Sequence, residues 1–247
     1  MVKTIPEEAP VGIKKDKGFD KDSWKPRTEL GKKVKNDDIT DIKEIFDKGY
    51  KIMEPQIVDI LIPELESELI SIGQSKGKFG GGKRSIWKQT QKKTKEGNKM
   101  KFSTMMVVGN KDGYVGIGVG ESKETMPARE KSLKKAKVSI IRIKRGCGSW
   151  ESGGRNDYSI PFEVSGKCGS SLIKLIPAPK GTGLCVEKEC KKVLSMAGIK
   201  DIYSKSRNNK TKSNLIKACF NALRKLSEMK VDESYAKRYN IIEGRIK

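Results

Sequence analysis

Lysine carries most of the chemistry open to this chain. Lys92, Lys93, Lys95, Lys99 and Lys101 fall within ten residues around a Gly97-Asn98 turn, and Lys131, Lys134, Lys135 and Lys137 cover most of one helical stretch. Lys111 and Lys123 flank a glycine-rich segment, Arg142, Lys144 and Arg145 follow the helix, and Lys205, Arg207, Lys210 and Lys212 share a later loop. Ammonium and guanidinium heads in such clusters suit closely spaced phosphates, because each contact releases counterions from the polyanion. A single lysine reads as well as a solvated surface charge. As groups, the clusters point to RNA.

Two glycine stretches need separate treatment. Gly116-x-Gly118-x-Gly120, followed by Glu-Ser-Lys, superficially suggests a nucleotide cradle. A P-loop requires four residues between its glycines and then Gly-Lys-Ser/Thr, and that spacing is absent. The better reading is a strand face without side chains, against which a helix packs closely. Lys180-Gly181-Thr182-Gly183 is different: a cation-led glycine turn whose amides could take an RNA backbone.

Other chemistries are poorly supplied. The chain has no histidine, which removes the commonest general base and any Ser-His or Cys-His nucleophile. Cys147, Cys168, Cys185, Cys190 and Cys219 are odd in number and contain no C-x-x-C pair, so free and mostly buried thiols are expected rather than a disulfide framework or a zinc site. No catalytic residue, cofactor or metal is expected. Aromatic residues make up 6% of the chain, too few for a base-stacking platform, so recognition should be of RNA shape and phosphate. Trp150, Tyr158 and Phe162 read as core.

The elements that must position these groups follow from periodicity. With 247 residues and 35% hydrophobic content, the chain suits two small domains with extensions. The formal charge of +22 makes a polyanion the expected partner. It is uneven: between Asp37 and Glu68 ten acidic residues stand against three lysines, whereas Lys76 to Asp112 holds eleven basic residues against two acidic ones. The acidic segment is expected to meet a basic protein neighbour. No run reaches the roughly 20 apolar residues of a membrane span, and the first residues lack the apolar core of a secretory signal, so a cytoplasmic chain is expected.

Residues 1–23 read as a flexible basic arm and 24–63 as a helical extension, with a helix over Asp38–Gly49. Glu64–Ile72 reads as a short helix and Gly77–Lys83 as a basic loop. Phe102–Val108 and Tyr114–Val119 read as strands, the latter apolar on alternate residues. A helix follows with Leu133, Ala136 and Ile140 on its apolar side. Over 64–145 the order is that of a double-stranded-RNA-binding module. Over 146–228, strands are expected at Ile160–Ser165, Ser171–Ile176 and Ile199–Tyr203, and helices through Val186–Ala197 and Leu215–Leu226. Residues 229–247 read as a charged tail.

The run Val107-Val-Gly-Asn-Lys-Asp-Gly-Tyr-Val-Gly-Ile-Gly-Val-Gly120, leading into Pro127-Ala128 and Lys134-Lys-Ala-Lys137, resembles the hallmark of the universal small-subunit ribosomal protein S-five family. Arg145-Gly-Cys-Gly-Ser-Trp150, Leu175-Ile-Pro-Ala-Pro-Lys-Gly-Thr-Gly183 and Ala197-Gly-Ile-Lys-Asp201 follow in the family's order, and the first of these points to the archaeal and eukaryotic type. The resemblance covers about residues 24 to 228. It implies an α+β chain: a double-stranded-RNA-binding-like domain followed by a small α/β domain with a βαβ crossover. It also implies a non-enzymatic small-subunit protein that binds rRNA and lies near the messenger RNA entry channel. By the same resemblance the 92–101 hairpin reaches toward the decoding region, and the neighbours are the S-three, S-four and S-eight families, with the S-four contact bearing on accuracy. Three departures stand out: Arg129 replaces a usual aliphatic residue, Ser152 and Gly154 stand where relatives often carry cysteines, and the Gly77–Ser85 loop is longer. Apart from the resemblance, the competing readings are a non-ribosomal RNA chaperone and an RNA-modifying or nucleotide-using enzyme.

Overall fold

The structure is a computed structural model that describes Lys21, residues 24–75, Gly77, and residues 82–152 and 157–245. The expected 1–23 arm, apart from Lys21, lies outside the described residues, as do the middle of the Gly77–Ser85 loop and Gly154.

Three short helices, α1 (Glu29–Lys35), α2 (Ile42–Asp47) and α3 (Pro55–Leu61), make up the N-terminal extension. Each is too short to hold by itself. They persist because Trp24, Val34, Ile45, Ile57 and Val58 bury into one apolar cluster with Tyr114 and Ile140. Gly49 ends α2 at φ +68°, the left-handed position glycine tolerates.

The first sheet contains β1 (Glu66–Ile70), β2 (Trp87–Thr94), β3 (Gly97–Gly109), β4 (Tyr114–Ser122) and β5 (Ile141–Arg142), with helix α4 (Thr125–Val138) before β5. Ile70 lies opposite Met105 and Trp87 opposite Thr104, so β1 and β2 run end to end along one edge of β3. The chain leaves the sheet after Ile70 and rejoins it at Trp87. The expected helix over Glu64–Ile72 is therefore a strand: nine residues cannot nucleate a helix alone, and pairing with β3 buries Ile70 completely. The hairpin turn falls at Lys95-Glu96, two residues before the expected Gly97-Asn98, and Thr94 pairs with Gly97.

The glycine face of β4 does what its composition implies. A Cβ at Gly118 would stand 2.1 Å from the Ser132 carbonyl oxygen, one at Gly116 2.2 Å from that of Ala136, and one at Gly120 2.1 Å from that of Ala128. Helix α4 thus lies with its backbone on the strand. The expected stripe of Leu133, Ala136 and Ile140 is corrected accordingly: Ala128, Ser132 and Ala136 are the buried residues, because only small side chains fit so close an approach, and Leu133 is half-exposed. Ile140 follows the helix and joins the N-terminal cluster.

The opposite face of this sheet, with Met105, Val107 and Val115, belongs to a core shared with the second domain. That domain holds β7 (Val164–Cys168), β8 (Ser171–Pro177), β9 (Leu184–Cys185), α5 (Lys188–Met196), β10 (Ile202–Arg207) and α6 (Lys212–Glu228), after a short β6 (Lys144–Arg145). Its sheet order is β7-β8-β10-β9. β9 and β10 run parallel on either side of α5, which is the expected βαβ crossover. Two strands begin later than expected, at Val164 and Ile202. The expected charged tail is ordered over its described residues 229–245: α7 (Glu233–Arg238) and β11 (Ile242–Glu243) fold back, and β11 pairs with β6. No described helix is long and apolar enough to cross a membrane. None of the five cysteines is joined in a disulfide, and Cys147, Cys190 and Cys219 are buried. The hydrogen bond with Cys190, together with burial, pushes the Cys219 thiol well above its ordinary pKa.

Candidate nucleic-acid interface

Beyond Phe102, β3 loses β4 as a neighbour, so β2 and β3 continue as a two-stranded ribbon exposed along Lys88–Lys101. The ribbon arches toward the start of α4. Between them lies a groove of about 660 Å³ lined by Lys92, Lys99, Met100, Lys101, Ser122, Lys123, Glu124, Pro127 and Lys131. A second hollow of about 500 Å³, lined by Lys101, Val119, Glu121, Lys131 and Lys135, continues it along the helix. Hairpin and helix lysines about thirty residues apart in sequence therefore meet at one surface.

The carboxylates there are few. Lys101 pairs with Glu121, and that hydrogen bond holds the Glu121 carboxyl below its ordinary pKa. Lys99 pairs with Glu96 at 3.3 Å. Lys92, Lys93, Lys95, Lys123, Lys131, Lys134 and Lys135 are exposed and form no ion pair with a described residue. The first turn of α4 contains no acid, while Glu124, which caps the helix and lines the groove, offsets part of the positive end of its dipole. Met100 and Pro127, neither expected among the RNA contacts, give the groove apolar surface.

Other expected phosphate contacts are ion-paired within the chain, most of them partly buried and Lys111 at the surface. Lys137 pairs with Asp59 at 2.6 Å, Lys111 with Glu66 at 2.6 Å and Lys212 with Glu187 at 2.9 Å. Arg142 reaches Asp47 at 2.7 Å and Glu243 at 3.0 Å, and Lys144 reaches Glu243 at 3.1 Å. Arg145 is 4% exposed and bonds Asp112 and the Gly244 carbonyl, so it is no phosphate contact in this fold. Ile143, between these cations, is fully buried, and its alternation with them was the sequence signal that this segment is core.

The same pairings engage several carboxylates of the acidic segment at the protein surface. Asp47, Asp59 and Glu66 serve the cations just named, Glu68 takes Lys192 at 2.9 Å and Glu64 takes Arg245 at 3.4 Å. Glu54 accepts from the Arg27 and Thr28 amides; burial alone would raise its pKa, but the hydrogen bonds of the Thr28 side chain, these two amides and the Trp24 side chain together lower it. The carboxylates offered to a basic neighbour at Glu64, Glu66 and Glu68 are thus engaged within the chain.

The Lys180–Gly183 turn is also occupied. Asp201, 5% exposed, accepts from the Gly181 amide at 3.1 Å and the Gly183 amide at 2.7 Å, leaving neither for an RNA backbone. Thr182 hydroxyl donates to the Pro179 carbonyl. Lys180 stays exposed, 5.5 Å from the centre of the Tyr158 ring, which Lys200 also covers at 4.6 Å. Substituting Asp201→Ala removes two charge-assisted hydrogen bonds, of which a net loss of about 2 kcal/mol is expected. Amide exchange at Gly181 and Gly183 should then accelerate roughly thirty-fold, and unchanged protection would show that Thr182 alone holds the turn.

Trp150, expected in the core, is 90% exposed, because it sits on a single 3-10 turn that no sheet covers. Phe162 is packed against the shared core as expected, and Tyr158 is half-buried. Arg129 lies over the Trp87 ring at 5.7 Å. Lys205 and Arg207 project from the C-terminal sheet, while Lys210 lies in the loop beyond and its carbonyl accepts from Arg84.

Two family models match this chain. Residues 86–144 match the one described as ribosomal protein S5, N-terminal domain, and residues 166–238 that described as ribosomal protein S5, C-terminal domain. The small ribosomal subunit protein uS5 of Nanoarchaeum equitans is 45% identical over 226 residues, 91% of this chain and 97% of that protein. Its counterpart from Methanocaldococcus jannaschii is 42% identical over 229 residues, covering 92% and 99%. That from Methanobrevibacter smithii is 41% identical over 224 residues, covering 90% and 98%.

Proposed function

We infer, because the chain belongs to the ribosomal protein S5 family, a family of non-enzymatic small-subunit proteins, that it is a structural constituent of the small ribosomal subunit and grips rRNA in the groove between the β2–β3 ribbon and α4. The convergence of Lys92, Lys123 and Lys131 on one groove, with few opposing carboxylates, carries this reading. Lysine heads on two rigid elements, a paired ribbon and a helix fixed to the sheet, meet a phosphate backbone without having to be ordered first. Lys93 and Lys95 at the ribbon tip and Lys134 and Lys135 along the helix extend the same surface, and Lys180 and Lys210 offer further exposed cations on the second domain. The ribbon, being two strands wide and exposed on both faces, suits insertion among RNA helices near the decoding region and the messenger entry channel. Protein neighbours of the S-three, S-four and S-eight families, and a part in decoding accuracy through the S-four contact, complete the proposal.

The test is the salt dependence of binding to small-subunit rRNA. Each phosphate contact contributes about 0.7–0.9 to the slope of log affinity against log salt. The triple variant Lys92→Ala, Lys123→Ala, Lys131→Ala should therefore lose roughly two to three units of slope at an unchanged unfolding midpoint. A triple variant with the parent slope would sink the assignment of this groove.

A further inference from the structure

We propose that Arg129 is a positioning residue for the lysine groove: stacked on Trp87, it fixes the angle at which the β2–β3 ribbon stands over α4, and with it the spacing of the groove's cations. The proposal rests on the groove reading above and adds to it a residue that touches no phosphate itself. Trp87 pairs with Thr104 and Thr104 with Gly120, so the three form one row across β2, β3 and β4 and project to the same face. The row lies just inside Phe102, beyond which β4 ends and the ribbon goes on alone. One turn of α4 lies along it. The Ala128 carbonyl oxygen stands 2.1 Å from where a Cβ on Gly120 would be, the buried Thr104 hydroxyl meets Ser132 at 3.3 Å, and the Arg129 guanidinium lies 5.7 Å from the centre of the Trp87 ring. The row grows from glycine through threonine to tryptophan as it leaves the helix, and the arginine closes the last gap.

Ladder hydrogen bonds tie β2 to the sheet through β3 alone. A two-stranded ribbon is marginal by itself, so a contact from its outer strand to the helix decides how it is aimed. Arginine over the face of tryptophan is a favoured pairing for such a contact. The surroundings of Arg129 suit it to no other task. It forms no ion pair with a described residue, its Nη1 approaches the Met126 sulfur at 3.9 Å, and its Nε is buried without a hydrogen-bond partner among the described residues. A nitrogen placed so costs stability, which argues against an arginine held for packing alone. Nor does it face the groove: two residues from Lys131, it points roughly 160° away around the helix, whereas Pro127 and Lys131 supply the groove's lining.

Binding of the full chain to small-subunit rRNA is measured across a salt series at a temperature where every variant is folded, and Met100 is followed in the free protein by hydroxyl-radical oxidation read by mass spectrometry. Arg129→Ala should bind about fivefold more weakly, as the loss of one cation–π contact allows, at the parent's salt slope. Met100, which lines the groove and is 46% exposed, should be oxidised up to about twofold faster as the ribbon leaves the helix. Trp87→Leu, which keeps an apolar side chain at the ribbon's root, should match Arg129→Ala, and the double variant should be no weaker than either single one. Arg129→Lys, which keeps the cation, should recover part of the affinity. Parent affinity in Arg129→Ala, a slope reduced by about 0.7–0.9 that would make Arg129 a phosphate contact, or additive losses in the double variant would each overturn the proposal. The triple variant Lys92→Ala, Lys123→Ala, Lys131→Ala, run alongside, separates the two readings. If it loses slope while Arg129→Ala matches the parent, the groove stands and this proposal alone falls; if it keeps the parent slope, both fall.

Discussion

Gly118→Ala should lower the unfolding free energy by about 3 kcal/mol, although alanine is intrinsically the better strand residue by roughly 0.5–1 kcal/mol. The added Cβ would meet backbone: the Ser132 carbonyl oxygen at 2.1 Å and the Ala136 amide nitrogen at 2.3 Å. Neither can swing aside as a side chain would. Nor can α4 yield locally, since Gly116 and Gly120 hold it equally close on either side, at 2.2 Å and 2.1 Å from their own would-be Cβ atoms. The helix must lift as a unit, breaking the buried contact of Thr104 hydroxyl with Ser132 at 3.3 Å and carrying Lys131 away from the ribbon. Urea unfolding reads the loss as a lower midpoint at constant slope, and rRNA affinity should fall with it. Lys131→Ala, on the solvent side of the same helix, should move stability by no more than about 0.5 kcal/mol. A Gly118→Ala midpoint as close as that to the parent's would mean that strand and helix are not in backbone contact.

The glycine ladder was legible because its cause is local. A residue without a side chain on every second position of a strand can only mark a close approach, and the apolar Val115, Ile117 and Val119 between them fix which face is which. The amphipathic helices α5 and α6 were legible for the same reason, as period alone places Val193 or Leu223 inward. What failed depends on distant partners. Charge density identified the basic clusters, but whether a cation is free is decided by carboxylates far away in sequence: Asp59 for Lys137, Glu243 for Lys144, Asp112 for Arg145. The joining of β1 and β2 into one lane was hidden likewise, because the sixteen residues between them conceal that both pair with β3. The return of β11 to β6 spans almost one hundred residues and rests on two ladder pairs, a signal too short for periodicity to register.

Arg145 gives the sharpest separation between a cation that binds RNA and one that binds its own protein. Its guanidinium lies where three segments meet: it pairs with Asp112 at 2.5 Å in the β3–β4 turn, donates to the Gly244 carbonyl at 3.1 Å, and lies 3.0 Å from the position a Cβ would take on Gly198 at the end of α5. The turn itself is set by Asn110, whose side-chain oxygen accepts from the Asp112 and Tyr114 amides. Removing one partner of a buried pair strands the other, at about 3–5 kcal/mol. Asp112 keeps 29% of its side chain in water, which places Arg145→Ala near the lower end, at about 3 kcal/mol. Arg145→Lys should recover part of the loss, since a single Arg145 nitrogen, Nη2, donates to both acceptors and an ammonium placed there has the protons to do the same. In rRNA binding at a temperature where the variant is folded, the salt slope should match the parent's, because no phosphate contact has been lost. Lys131→Ala should behave in the opposite way, keeping the stability and losing the slope. If Arg145→Ala instead kept the parent's stability and lost a unit of slope, its buried pairing with Asp112 would have to give way to a contact with RNA.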